Sequence, residues 1–97
     1  MRISLSAEAQ AEVIEAVDWC IGLEAYTAAE QLALRLEHAL ALLIEFPRLI
    51  VPGPSDTRAL PLHGFPYSLI YRVYAADVRI IAFAYHRRRP VYWTGRR

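Results

Sequence analysis

Two adjacent runs decide how this chain folds: Phe65-Pro66-Tyr67-Ser68-Leu69-Ile70-Tyr71-Arg72-Val73 and Val78-Arg79-Ile80-Ile81-Ala82-Phe83-Ala84-Tyr85-His86. Both are rich in β-branched and aromatic residues, and a short polar break, Ala75-Ala76-Asp77, parts them, which predicts an antiparallel hairpin. In the first run Tyr67, Leu69, Tyr71 and Val73 share one face, while Ser68, Ile70, Arg72 and Tyr74 share the other. Strict alternation in the second run puts Val78, Ile80, Ala82, Ala84 and His86 opposite Arg79, Ile81, Phe83 and Tyr85. The small alanines then mark where a helix would approach closely. The hairpin ends in a cationic and aromatic cluster, His86-Arg87-Arg88-Arg89-Pro90-Val91-Tyr92-Trp93, where function is expected.

Upstream of the hairpin, Arg58-Ala59-Leu60-Pro61-Leu62 reads as a short strand, irregular or exposed on one side because Pro61 donates no ladder hydrogen bond. His63-Gly64 turns the chain. Pro47 and the breaker cluster Pro52-Gly53-Pro54-Ser55-Asp56 define the principal loop. Before it, Leu32, Leu36, Ala39, Leu40 and Leu43 form the main stripe of a helix that Thr27 and Glu30 are expected to start at Ala28 as a capping box. Leu34, Leu42 and Ile44 widen its apolar arc, which predicts packing on two sides.

An earlier helix over Ala7–Leu23 carries Ala9, Val13, Ala16, Val17 and Cys20 on one side and Glu8, Glu12 and Glu15 on the other. Ser6 is its expected N-cap. Arg2–Leu5 alternates as a first strand. The order β-α-α-β-β-β predicts an α+β fold, with two N-terminal helices packed on one face of a small antiparallel sheet and the other face more open. At 97 residues, residues 1–97 are expected to form a single domain.

An apolar fraction of 56% excludes a disordered chain. No apolar run approaches the roughly 18 residues of a membrane span, and no export signal is visible, so no membrane association is expected. The lone Cys20 forms no intrachain disulfide and suits a reducing cytoplasm. The net charge of +1 hides a split: residues 1–47 carry two arginines against eight acids, net −6, and residues 48–97 carry nine arginines against two acids, net +7. Such polarity suggests that the strand half faces an anionic or acidic partner, or that the halves balance each other.

His86 and Arg87 to Arg89 stand at a strand end, where a rigid element holds side chains at the rim. Three guanidiniums there suit phosphates or an acidic protein surface, and His86 suits proton transfer near neutral pH. A solvated edge with one satisfied histidine is the plainer reading. Arg58 and Arg72 lie on neighbouring strands, so five arginines are expected to converge on one surface. Tyr92 and Trp93 either stack on a partner or fold back over the core. One cysteine and three scattered histidines give no metal constellation, and no phosphate loop exists, so no cofactor is expected. Ser68 and His86 could approach across the hairpin, but no acid is identified to orient the histidine, and a hydrolase triad is not supported.

These residues together resemble the RelE/ParE superfamily of toxins from type II toxin-antitoxin modules. Phe65 to Val73, Tyr85 to Pro90 and Tyr92-Trp93 look like the ParE-type, plasmid-stabilisation branch. The resemblance implies a cytoplasmic toxin bound in a hetero-oligomer by a cognate antitoxin with an extended, often acidic segment. In the ParE-like branch it implies inhibition of DNA gyrase without catalysis by the toxin. In the RelE-like branch the implied activity is cleavage of messenger RNA in the ribosome. Nuclease members usually carry an arginine where this chain has Ser68, and only Arg58, His86 and Tyr92 match their other positions in part. The resemblance therefore favours gyrase inhibition, with no catalytic residue. Arg58, Arg72, His86, Arg87, Arg88, Arg89, Tyr92 and Trp93 are expected to bind target or antitoxin. A non-toxic, antitoxin-binding homologue is the third possibility.

Overall fold

The computed structural model describes residues 1–97. Strand β1 (Arg2–Leu5) is followed by helices α1 (Ala7–Gly22) and α2 (Tyr26–Glu45), then strands β2 (Arg58–Pro61), β3 (Tyr67–Val73) and β4 (Asp77–Tyr85). The sheet order is β1-β4-β3-β2. This is the α+β order expected from the sequence. β2, β3 and β4 are antiparallel, and β1 joins the edge of β4 in parallel, so the sheet is mixed.

Helix α1 starts where Ser6 places its Oγ 3.1 Å from the Ala9 amide, accepting a donor that has no partner within the helix. The same residue ties the helix to the sheet, because the Ser6 amide donates to the Ile80 carbonyl at 2.9 Å and its hydroxyl to the Ile81 carbonyl at 3.4 Å. β1 ends at Leu5, so the start of α1 takes over the edge of β4 from that point on. Helix α2 departs from expectation at its N-terminus. It begins at Tyr26 with Ala25 as cap, and no side chain accepts there. Two residues inside the boundary, Thr27 cannot act as the cap of a capping box.

The main core lies between the helices and one sheet face. Ala9, Ala16, Leu32, Ala39 and Leu43 meet Leu69, Tyr71, Val78, Ile80 and Phe83 there, with Leu36 and Leu40 partly buried beside them. Leu34, Leu42 and Ile44, the residues that widened the apolar arc of α2, are exposed.

β4 also corrects the alternation read from its sequence. Ile70 pairs with Ala82 and Tyr71 with Ile80, leaving Ile81 as an extra residue in a β-bulge. Beyond the bulge the faces exchange. Phe83 turns toward the helices and stacks on Tyr67 at 4.6 Å. Ala82 and Ala84 turn away from the helices and form a second cluster with Ile70 and Ile81, against which Tyr92 and Trp93 pack. The alanines thus admit the segment after β4 rather than a helix, and the face expected to be open is partly covered.

Candidate functional site

The residues after β4 double back as a strap over 86–97. Its root is fixed by the His86 amide, which donates to the Pro66 carbonyl at 2.9 Å. His86 Nε2 lies 2.8 Å from Ser68 Oγ, so the proximity considered from the sequence is real. Ser68 is 8% exposed. Its hydroxyl is engaged by an exposed histidine, and no carboxylate bonds to the other ring nitrogen.

Further along, the strap gathers on one carboxylate. Glu12 of α1 accepts from the Tyr92 hydroxyl at 2.6 Å, from Arg96 at 2.7 and 3.4 Å, and from Arg88 at 2.9 Å. It also accepts from the Phe83 amide at 3.1 Å, which completes the edge of β4 where no strand pairs with it. The Arg88 guanidinium lies 3.7 Å from the centre of the Tyr92 ring, close enough for a cation–π contact. Burial, and then the hydrogen bond to Glu12, push the Tyr92 phenol far above its ordinary range. Burial works against the charge of Arg96, but Glu12 outweighs it and raises the guanidinium further. In the sequence Glu12 falls with Glu8 and Glu15 on the side of α1 opposite its apolar stripe. Only the opposite charges of the two halves hinted at the contact, because its partners lie 71 to 84 residues away.

The expected convergence of five arginines is not formed. Arg58 pairs across the sheet with Tyr71 and so shares the helix side, where it donates to the Ile50 carbonyl at 2.5 Å. Arg72, one residue on from Tyr71, faces the strap side and donates to the Ser55 carbonyl at 3.0 Å and the Arg96 carbonyl at 2.5 Å. The β2–β3 register, which sets Arg58 beside Tyr71, puts the two on opposite faces. Arg88 is bound to Glu12, which leaves Arg87 and Arg89 exposed and outside the ion pairs of the molecule. Tyr92 and Trp93 meet edge to face at 5.4 Å and lie on the second cluster, so they fold back.

Beside the strap root, between α1 and the end of the β3–β4 hairpin, runs a groove of about 910 Å³. Trp19, Phe65, Tyr67 and Tyr85 make it aromatic, and Glu15 faces it from the helix while Arg87 and Arg88 face it from the strap. Trp19 is 68% exposed. Burial, with smaller contributions from Cys20 and Tyr85, raises the Tyr67 phenol. No group of histidine, cysteine and acidic side chains is arranged to hold a metal ion.

The chain is thus a small α+β protein, a two-helix hairpin on a four-stranded mixed sheet with an aromatic groove flanked by arginines. Residues 3–90 match the family described as ParE toxin of type II toxin-antitoxin system, parDE. The chain belongs to that family. In fold it is similar to a chain of the chromosomal ParDE TA system from P. aeruginosa, at 19% identity and a TM-score of 0.73, over 88% of this chain and 95% of the other. No curated protein matches the sequence.

Proposed function

We propose that this chain is a toxin that binds and inhibits DNA gyrase in the cytoplasm, without catalysing a reaction itself, and that a cognate antitoxin neutralises it. The observation that carries this reading is Ser68. Nuclease members of the superfamily usually place an arginine there to stabilise a scissile phosphate, whereas here a buried hydroxyl bonds to His86. His86, Arg87 and Arg89 are the exposed groups proposed to meet the target. The aromatic groove flanked by Arg87 and Arg88 suits an antitoxin segment that carries apolar and acidic side chains.

Purified protein added to gyrase and relaxed plasmid is expected to block supercoiling, and unchanged supercoiling at a large molar excess would overturn the reading. The exposed His86 is the feature that favours RNA cleavage. Ribosome-dependent cutting of a reporter message that His86→Ala abolishes would replace gyrase inhibition with that activity. Co-expression with the product of the neighbouring reading frame is expected to give a stable complex.

A further inference from the structure

The strap is long, carries no helix or strand, and still has a defined place. Its backbone bonds from Arg88 onward are local turns: Arg88 to Tyr85 at the end of β4, and Thr94 to Val91 and Arg96 to Trp93 within the strap. Such turns fix its shape but not its position on the sheet. Tyr92 and Trp93 supply apolar contact with Ile70, Ile81, Ala82 and Ala84, which is non-directional. Direction comes from hydrogen bonds, and from Arg88 onward most of those that side chains make between the strap and the rest of the molecule end on Glu12. The others join Arg72 to the Arg96 carbonyl and Arg96 to the Ile81 carbonyl.

We propose that Glu12 is the latch of this strap: one carboxylate on α1 that sets where residues 88–97 lie, and whose loss frees them from the sheet while the two-helix and sheet body stays folded. Three properties of the site support a latch over an ordinary surface ion pair. Both carboxylate oxygens are used, and the Glu12 side chain is 11% exposed, so the bonds are charge-assisted and shielded from water. The partners are spread along the strap at Arg88, Tyr92 and Arg96, so one carboxylate holds it at three points. The contact is long-range, because Arg88, Tyr92 and Arg96 lie 76, 80 and 84 residues from Glu12 in the chain. Its members differ in accessibility, with the Arg88 side chain 51% exposed and that of Arg96 17% exposed. A carboxylate arriving from outside therefore reaches Arg88 first, from the groove that Arg88 helps to line.

The inference does not depend on the target of the toxin, and its test uses the full chain alone. Glu12→Gln keeps an acceptor for the Phe83 amide and removes the charge that holds the arginines. Trypsin digestion followed by mass spectrometry is expected to show cleavage after Arg87 and Arg88 at least tenfold faster than in the parent. Cleavage after Arg35 in α2 and Arg79 in β4 should change less than twofold. In a Trp19→Phe background, Trp93 emission should shift to longer wavelength. Unchanged strap cleavage would overturn the proposal, and so would an equal rise at all four sites, which would make Glu12 a support of the whole fold. If Glu12→Gln loses its helical circular dichroism, Arg96→Gln provides the decision, because it leaves α1 and the Phe83 amide intact. The same selective cleavage is expected from it, and parent-like digestion would refute the latch.

Discussion

Two serine and threonine residues with similar sequence credentials make different contributions. Ser6 is buried and bonded to both the Ala9 amide and the Ile81 carbonyl. Ser6→Ala is therefore expected to cost about 1–2 kcal/mol. Thr27 precedes Glu30 in a capping-box pattern but lies inside α2, exposed, with no capping bond. Thr27→Ala should change stability by no more than about 0.5 kcal/mol. Urea unfolding of both variants checks the pair, with a constant denaturant slope as the sign that only the folded state has changed. Tyr71 is a third case at this scale. Its ring is fully buried and its hydroxyl has no hydrogen-bond partner. Burial raises its phenol, while the nearby Arg58 guanidinium and Ile50 backbone oppose the rise without completing a bond. Tyr71→Phe should leave stability unchanged or raise it by about 1 kcal/mol, since the desolvated hydroxyl returns nothing.

β4 was the element hardest to read correctly from the sequence. Its extent was legible because the run from Val78 to Tyr85 is rich in β-branched and aromatic residues and holds neither glycine nor proline, but its faces were not. The bulge at Ile81 is marked by neither glycine nor proline, and one extra residue inverts every side chain after it. Phe83→Ala measures the consequence. Stacked on Tyr67 and 2% exposed, Phe83 should cost about 3–5 kcal/mol on truncation, read from the shift in the urea midpoint. Unbroken alternation would have put it outside the main core and made the change mild. The helices were legible for the opposite reason, since a stripe such as Leu32, Leu36, Ala39 and Leu43 tolerates a shift of one or two residues at either end. The basic rim was legible as composition. Its geometry was not, because whether Arg58 and Arg72 meet depends on pairing across strands, and the partner of Arg88 lies 76 residues away.

For the molecule as a whole, three tyrosines act together on the response to alkali. Tyr67, Tyr71 and Tyr92 all have phenols raised by burial, and that of Tyr92 is raised further by Glu12. A phenol raised in the folded state binds its proton more tightly there than in the unfolded chain. Its contribution is complete below the unfolded value of about 10 and is lost as pH climbs above it. Stability is thus expected to be flat to about pH 9 and to fall beyond pH 10. Tyr92→Phe should flatten the fall, as urea titrations at stepped pH would show.

The parallel pairing of β1 with β4 also fixes an order of events during synthesis. Ser6 and Ile81, joined by a hydrogen bond, are 75 residues apart. Closing so large a loop must precede any gain from the contact, which makes this docking a late step in folding. α1 and α2 leave the ribosome before the strands they cover exist, with Ala9, Leu32 and Leu43 still in water. The body of the protein closes only when β4 has been made, so a chain interrupted before Asp77 has no sheet edge for its first strand and leaves the sheet side of the core open.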